Sequence, residues 1–233
     1  MSKRTSKFSL YFGPIIFLIV GIVAASKRPF HEDEIAWFHL YEMSLSDLFS
    51  TVFKSDVHPP LSYVINKYFT NVISPLESSI LPLLFLSLSL YFFIKVSYKY
   101  LKTSYNPIIY SFIISLHPSL IIYGFTTRYY SYHISISLIA ITLLIKFLSG
   151  KSNKDLYLIF FVLIVGAYTS YISLLLSFVI GIILLYERKD IWKKILILGC
   201  IYSVLISPVI LNLVNIVIAN GIGLKFEGIN MST

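Results

Sequence analysis

Three acids in a row, Glu32-Asp33-Glu34, follow the first long apolar run of the chain. Carboxylates placed there suit a general base or a cation ligand; a solvated acidic loop is the simpler alternative. Asp56-Val57-His58-Pro59-Pro60-Leu61 comes next. The two prolines hold His58 in an extended backbone and fix where the following helix opens. The imidazole is then either a placed pocket group or an incidental residue at a helix start. Further on stands Gly124-Phe125-Thr126-Thr127-Arg128-Tyr129-Tyr130. The planar donor fork of an arginine matches phosphate, and an arginine snorkelling from a bilayer edge reads equally well. Tyr168-Thr169-Ser170-Tyr171 forms a hydroxyl-lined wall or an aromatic belt, and the belt is preferred. His31, His39, His117 and His133 show no repeated ligand spacing, so they define no metal site. Cys200 is the single cysteine. It excludes an intrachain disulfide and, within its apolar run, reads as a small buried core residue.

The elements that must carry these residues belong to a membrane protein. Hydrophobic residues make up 57% of the 233 and charged ones 13%, where soluble domains carry about a quarter charged. The apolar segments are Phe8–Ala25, Ile80–Val96, Pro107–Tyr123, Tyr129–Leu148, Leu156–Tyr171, Ile172–Tyr186 and Ile195–Ile218, seven in all. The fifth and sixth join into 31 residues, too long for one span of about 20, and residues 168–171 are the polar place to turn. His117-Pro118 predicts a kink in the third. With the N-terminus in the cytoplasm, 13 of the 19 basic residues fall inside and eight of the 11 acids outside, as the positive-inside rule requires. Topology therefore accounts for the net charge of +8, and no nucleic-acid partner is expected. The first segment ends in Ala24-Ala25-Ser26, like a cleaved signal peptide. It reads better as an uncleaved signal anchor, because six further spans follow it.

The predicted fold is thus all-α and integral to the cell membrane, with about seven transmembrane helices. Residues 1–218 form the transmembrane module, 26–79 its extracytoplasmic loop and 219–233 a short extracytoplasmic tail. Leu61–Ile73 is apolar but short: its 13 residues make about 20 Å of helix against a core of about 30 Å. Leu61, Ile65, Tyr68, Phe69 and Val72 share one side, and Ser62, Asn66, Lys67 and Thr70 the other. That is an interfacial helix. A second follows the cap Ser44-Leu45-Ser46-Asp47, with Leu45, Leu48, Phe49, Val52 and Phe53 on one face. A third covers Ile35–Tyr41. All the chemistry-bearing groups then gather at the outer interface, where a carboxylate, an imidazole and a phosphate-suited arginine point to work on a lipid-linked phosphate.

Asp33-Glu34 and Asp56-Val57-His58-Pro59-Pro60-Leu61 resemble the protein O-mannosyltransferase family. The stretch His117-Pro118 to Tyr130 is similar to the Pro…Tyr…Arg-x-Tyr segment of its prokaryotic relatives, and residues 168–171 to their Tyr-Thr-His-Tyr turn. The resemblance covers about residues 8–190. It implies a GT-C class glycosyltransferase moving a sugar, with inversion, from a polyprenyl (dolichyl) phosphate to an extracytoplasmic protein, glycan or lipid acceptor. Asp33 is then the catalytic base and Glu34 its support or the group that orients the loop. Asp56, His58, Arg128 and Tyr129 bind substrate, with Arg128 on the donor phosphate. Thr126 and Thr127 stand where relatives often carry an acid, so a divalent metal is not required and the cofactor is left open. Ser170 replaces the histidine of the turn. Relatives are usually longer. The alternative is therefore a non-catalytic family member that binds lipid phosphate, or one that depends on a partner subunit for the missing C-terminal part.

Overall fold

In the computed structural model the described residues are 9–30, 32–55, 58–69, 74–101, 105–124 and 129–219, and the regular elements among them are helical. They are α1 (Phe12–Lys27), α2 (Glu32–Glu42), α3 (Leu45–Ser55), α4 (Leu61–Phe69), α5 (Pro75–Tyr100), α6 (Pro107–Ser115) and α7 (Pro118–Gly124). Then follow α8 (Tyr129–Gly150), α9 (Asn153–Ala167), α10 (Ile172–Glu187), a 3-10 turn (Lys189–Ile191), α11 (Trp192–Leu205) and α12 (Ser207–Ala219). Local chemistry sets several starts. Ser74 accepts the Glu77 N–H at 3.2 Å ahead of Pro75, and Asn106 accepts the Ile108 N–H at 2.9 Å ahead of Pro107. Both are N-caps followed by a proline whose missing N–H is no loss there. The predicted cap before α3 forms: Ser44 accepts the Asp47 N–H at 3.2 Å and donates its hydroxyl to Asp47 Oδ2 at 2.7 Å.

Helices α5 and α8 are each long and apolar enough to cross a membrane. Two further candidates are bent pairs, α6 with α7 by 48° and the 3-10 turn plus α11 with α12 by 56°. Helices α1 and α10 are apolar and shorter. The first bend falls at His117-Pro118, as the sequence predicts. The second, which the sequence reading does not include, breaks the helix inside the segment Ile195–Ile218. The helix stops at Ile206, ahead of Ser207-Pro208, because proline has no N–H to return and crowds the residue before it.

Helix α1 runs antiparallel to α5. Arg28 meets Ser79 at one end, and the Tyr91 hydroxyl donates to the Tyr11 hydroxyl at 2.7 Å at the other. Helix α6 lies beside α1 so closely that a methyl at Gly13 would collide with the Ser111 carbonyl. Ser111 uses that approach. It accepts the Gly13 N–H at 3.0 Å and donates to the Leu10 carbonyl at 3.0 Å, satisfying one of the orphan donors that begin α1. Helix α8 packs on α5 and, from another side, on α9, which in turn meets α10 and α11.

The surface of this bundle is inverted relative to a soluble protein. Leu84, Leu88 and Phe92 on α5, and Leu175, Phe178 and Ile182 on α10, are exposed, whereas Ser87, Ser97, Ser111, Ser135 and Ser173 are buried. Buried hydroxyls such as Ser97 and Ser135 donate to the carbonyl one turn back, at 2.6 and 2.7 Å. Such small side chains let helices approach while these hydroxyls stay bonded within their own helix. Cys200 belongs to the outward face. It is exposed, which corrects its reading as a buried core residue; the α11 surface that carries it is turned away from the bundle interior.

Candidate functional site

One end of the bundle is closed by α2, α3 and α4, and there stand Glu34, His58 and Tyr129, three of the residues singled out by the sequence. Arg28, one residue past α1, makes a two-point ion pair with Glu34 in the first turn of α2, Nη1 to Oε2 at 2.5 Å and Nη2 to Oε1 at 2.8 Å. Nη2 also reaches Ser79 Oγ on α5 at 3.2 Å. The Glu34 side chain is fully buried and that of Arg28 is 21% exposed. Glu34 therefore orients the loop: it ties the start of α2 to the ends of α1 and α5, and its carboxylate is engaged by the arginine. Asp33 stands beside it in the first turn of α2, with its side chain outside the described residues. Asp56 and Arg128 also lie outside the described residues.

His58 and Tyr129 are brought together. Their rings touch at a tilt of 35°, with centroids 4.0 Å apart. Tyr129 continues onto Tyr130 at 4.2 Å, and Tyr130 onto Tyr123 at 5.3 Å. Three residues beyond His58, the Leu61 N–H donates to the Tyr168 carbonyl at 3.0 Å. Three segments far apart in the chain thus meet: the His-Pro-Pro-Leu string, the start of α8 and the turn between α9 and α10.

Helix α4 shows how the loop is held. Its polar side faces the protein: Ser62, Tyr63 and Asn66 are buried, while Tyr68 and Phe69 are 57% and 72% exposed. Asn66 accepts the Tyr132 hydroxyl at 2.7 Å and donates to the Tyr41 hydroxyl at 3.1 Å, joining α4 to α8 and α2. Burial pushes the Tyr41 phenol up to about 12; the Asn66 hydrogen bond opposes the shift and the Glu34 charge adds to it. The Lys67 ammonium donates to the Tyr41 and Met43 carbonyls at 2.7 and 2.6 Å, closing the C-terminal end of α2 with charge of the sign its dipole favours. Leu40, Leu48, Val52, Tyr63 and Tyr129 form the apolar cluster beneath.

The turn at 168–171 uses its hydroxyls internally. Tyr168 donates to the Leu205 carbonyl at 2.9 Å, and Tyr171 accepts from Asn212 at 2.7 Å. Both tyrosines therefore fasten α11 and α12 to the site, and α12 also packs on α3. His133 shares a hydrogen bond with Ser173 Oγ at 2.9 Å, one turn deeper. Among the described residues no three His, Cys, Asp or Glu side chains gather to hold a metal ion.

Sequence reasoning missed Arg28, Tyr41, Asn66, Tyr132 and Asn212 as parts of this assembly. A signal existed for Arg28: a basic residue on the side assigned few of them, six positions before a glutamate. Comparison with family models, with curated proteins and with solved structures gives no match.

Proposed function

We propose that the chain is a membrane glycosyltransferase that moves a sugar from a polyprenyl phosphate to an acceptor hydroxyl outside the cell membrane. The observation that carries this reading is the meeting of the three segments: His58 in ring contact with Tyr129 and Leu61 bonded to Tyr168. Those are the segments whose motifs resemble the donor and acceptor machinery of the GT-C class. In the proposed step the acceptor oxygen attacks C1 of the sugar, and the bond from C1 to the phosphate oxygen breaks with inversion. Asp33 takes the hydroxyl proton, and the polyprenyl phosphate leaves with its charge against Arg128. Glu34, engaged by Arg28, holds the loop that carries Asp33. Asp56 and His58 line the acceptor side.

The same reading has seven membrane-crossing segments, the N-terminus in the cytoplasm and α2 to α4 on the outer face. The outward apolar side of α4 supports an interfacial position for that helix. The deciding measurement is transfer from lipid-phosphate sugars by purified, reconstituted protein, wild type against Asp33→Asn. Loss of transfer with the lipid phosphate still bound supports the enzyme. Uptake of lipid phosphate by both proteins, with no transfer to any acceptor by either, supports instead a binding protein or a partner-dependent subunit.

A further inference from the structure

At the end of the bundle opposite the candidate site, the turn joining α8 to α9 lies beside the turn joining α10 to α11. Lys194 spans them by donating to Asn153 Oδ1 at 3.0 Å. Residues 146–194 carry seven cations, Lys146, Lys151, Lys154, Arg188, Lys189, Lys193 and Lys194, against three acids. Arg188 sits at the centre with its side chain 8% exposed. Its guanidinium lies over the Phe147 ring at 4.8 Å and gives Nε and Nη2 to Asp190 at 2.8 and 2.7 Å. Its remaining nitrogen, Nη1, is buried with no hydrogen-bond partner among the described residues. A buried charged donor without an acceptor is costly, and an oxyanion is the ligand that removes the cost. Beside it Lys151 holds a left-handed backbone, φ 55°, the one non-glycine to do so among the described residues. Strain of that kind persists where the surroundings over-determine it and is a mark of sites that do work.

An apolar groove comes within one helical turn of Arg188, at Leu184 and Leu185. It runs between α10 and α11, with a volume near 760 Å³ and walls that include Ile182, Leu185, Leu196 and Cys200. Two glycines open it, since a side chain at Gly181 or Gly199 would meet nothing within 4 Å. The groove follows α10 from Leu185 to Leu174 for about 16 Å, most of the length of that helix, and reaches Ile206 and Ile210 where α11 gives way to α12.

We infer that the basic turns and the groove are the headgroup and chain halves of one site for an anionic glycerophospholipid. Its phosphate lies against Arg188 and Lys151, and one acyl chain lies over Gly181 and Gly199. The inference rests on the membrane reading, which makes this the cytoplasmic surface, and not on the proposed transferase activity. The polyprenyl donor is the rival occupant, because the groove also reaches Leu174, Ile206 and Ile210 toward the candidate site; the seven cations at the opposite end favour the phospholipid.

Trp192 is 48% exposed beside the headgroup turn and reports on it. Trp37→Phe leaves it as the only tryptophan of the two in the chain. In that protein, reconstituted in phosphatidylcholine bilayers, phosphatidylglycerol with brominated chains should quench Trp192 at a mole fraction about fivefold lower than brominated phosphatidylcholine does. Arg188→Gln should bring the two lipids to within about twofold, and so should Lys151→Gly, a variant that eases the backbone. Gly199→Leu, with every charge in place, should raise the phosphatidylglycerol fraction needed. Equal quenching by the two lipids in the unaltered site overturns the inference. So does a preference that survives all three variants, which would be diffuse attraction to the surface. Displacement of brominated phosphatidylglycerol by polyprenyl phosphate to the same extent with and without Arg188→Gln would assign the groove to the donor.

Discussion

Adjacent carboxylates at the head of α2 are expected to respond differently to loss of charge. Glu34→Gln takes one partner from a two-point pair in which the glutamate is fully buried and Arg28 is 21% exposed. It should lower stability by about 2 kcal/mol, less than a fully buried pair because water still screens the arginine. Thermal unfolding in detergent measures it, and Arg28→Met should cost a similar amount. Asp33→Asn should leave the unfolding temperature where it is while abolishing transfer. Any transfer lost in Glu34→Gln should return on cooling if Glu34 orients the loop without taking part in the reaction. At the far end, Lys151→Gly should raise stability by about 1 kcal/mol, because glycine adopts the left-handed backbone without the penalty a lysine carries. The neighbouring Asp190 carboxyl is held down at about 2, chiefly by its hydrogen bonds to Arg188. A depressed carboxyl contributes stability above its unfolded value of about 3.9 and loses it as pH falls through the folded one. The unfolding-temperature gap between wild type and Asp190→Asn should therefore be constant at neutral pH and close between about pH 3.9 and 2. The contact of His58 with Tyr129 was legible only through the resemblance, which implies a substrate-binding role for both. The Arg28–Glu34 pair was not legible, because it depends on how the chain turns between α1 and α2, and no periodicity crosses that turn.

The helices themselves were legible wherever a hydrophobic run is bounded by a cap or a proline. The starts of α3, α5 and α6 show why: in each, a Ser or Asn side chain takes up one or more of the first free N–H groups. What the pattern could not give was the direction of a two-sided helix. Helix α4 has one polar and one apolar side, and either could face the protein. Buried Asn66, bonded to both Tyr41 and Tyr132, sets the polar side inward. Asn66→Leu should accordingly destabilise, although it makes the helix more apolar, because it leaves the Tyr132 hydroxyl buried without that acceptor, at a cost of about 1–3 kcal/mol. Gly13 makes the complementary point at the α1–α6 contact. A valine there would meet the Ser111 carbonyl and should cost about 1–3 kcal/mol by overpacking, seen as a lower midpoint in SDS-induced unfolding. A valine at Gly181, which faces open space, should leave the midpoint nearly unchanged. The two glycines are indistinguishable in a hydropathy profile.

At the scale of the molecule, the second bend changes what the chain does after α11. Charge counting treats Ile195–Ile218 as one crossing, although Pro208 within it is a signal for a break. The structure divides it at Ile206, just where Tyr168 binds the Leu205 carbonyl and Asn212 binds Tyr171. Helix α11 itself, Trp192–Leu205, is 14 residues, about 21 Å. That is short of a core of about 30 Å, so it crosses either together with α12 as a bent span or alone with the bilayer thinned around it. Helix α12 then lies against α3, so the loop helices and the end of the described chain form one cover over the site. Single-cysteine labelling separates this arrangement from a straight seventh span. With Cys200→Ser as background, Ser50→Cys on α3 should react with a membrane-impermeant maleimide from the outside, and Lys154→Cys on α9 only after permeabilisation. Ser207→Cys is the discriminating position. If α11 alone crosses and α12 folds back over the outer end, Ser207→Cys reacts from the outside as fast as Ser50→Cys. If the pair crosses as one rod, it lies in the middle of the bilayer and stays unlabelled in both conditions. Reaction of Ser50→Cys only after permeabilisation would invert the proposed orientation and place the candidate site in the cytoplasm, where an outward-facing transferase could not use it.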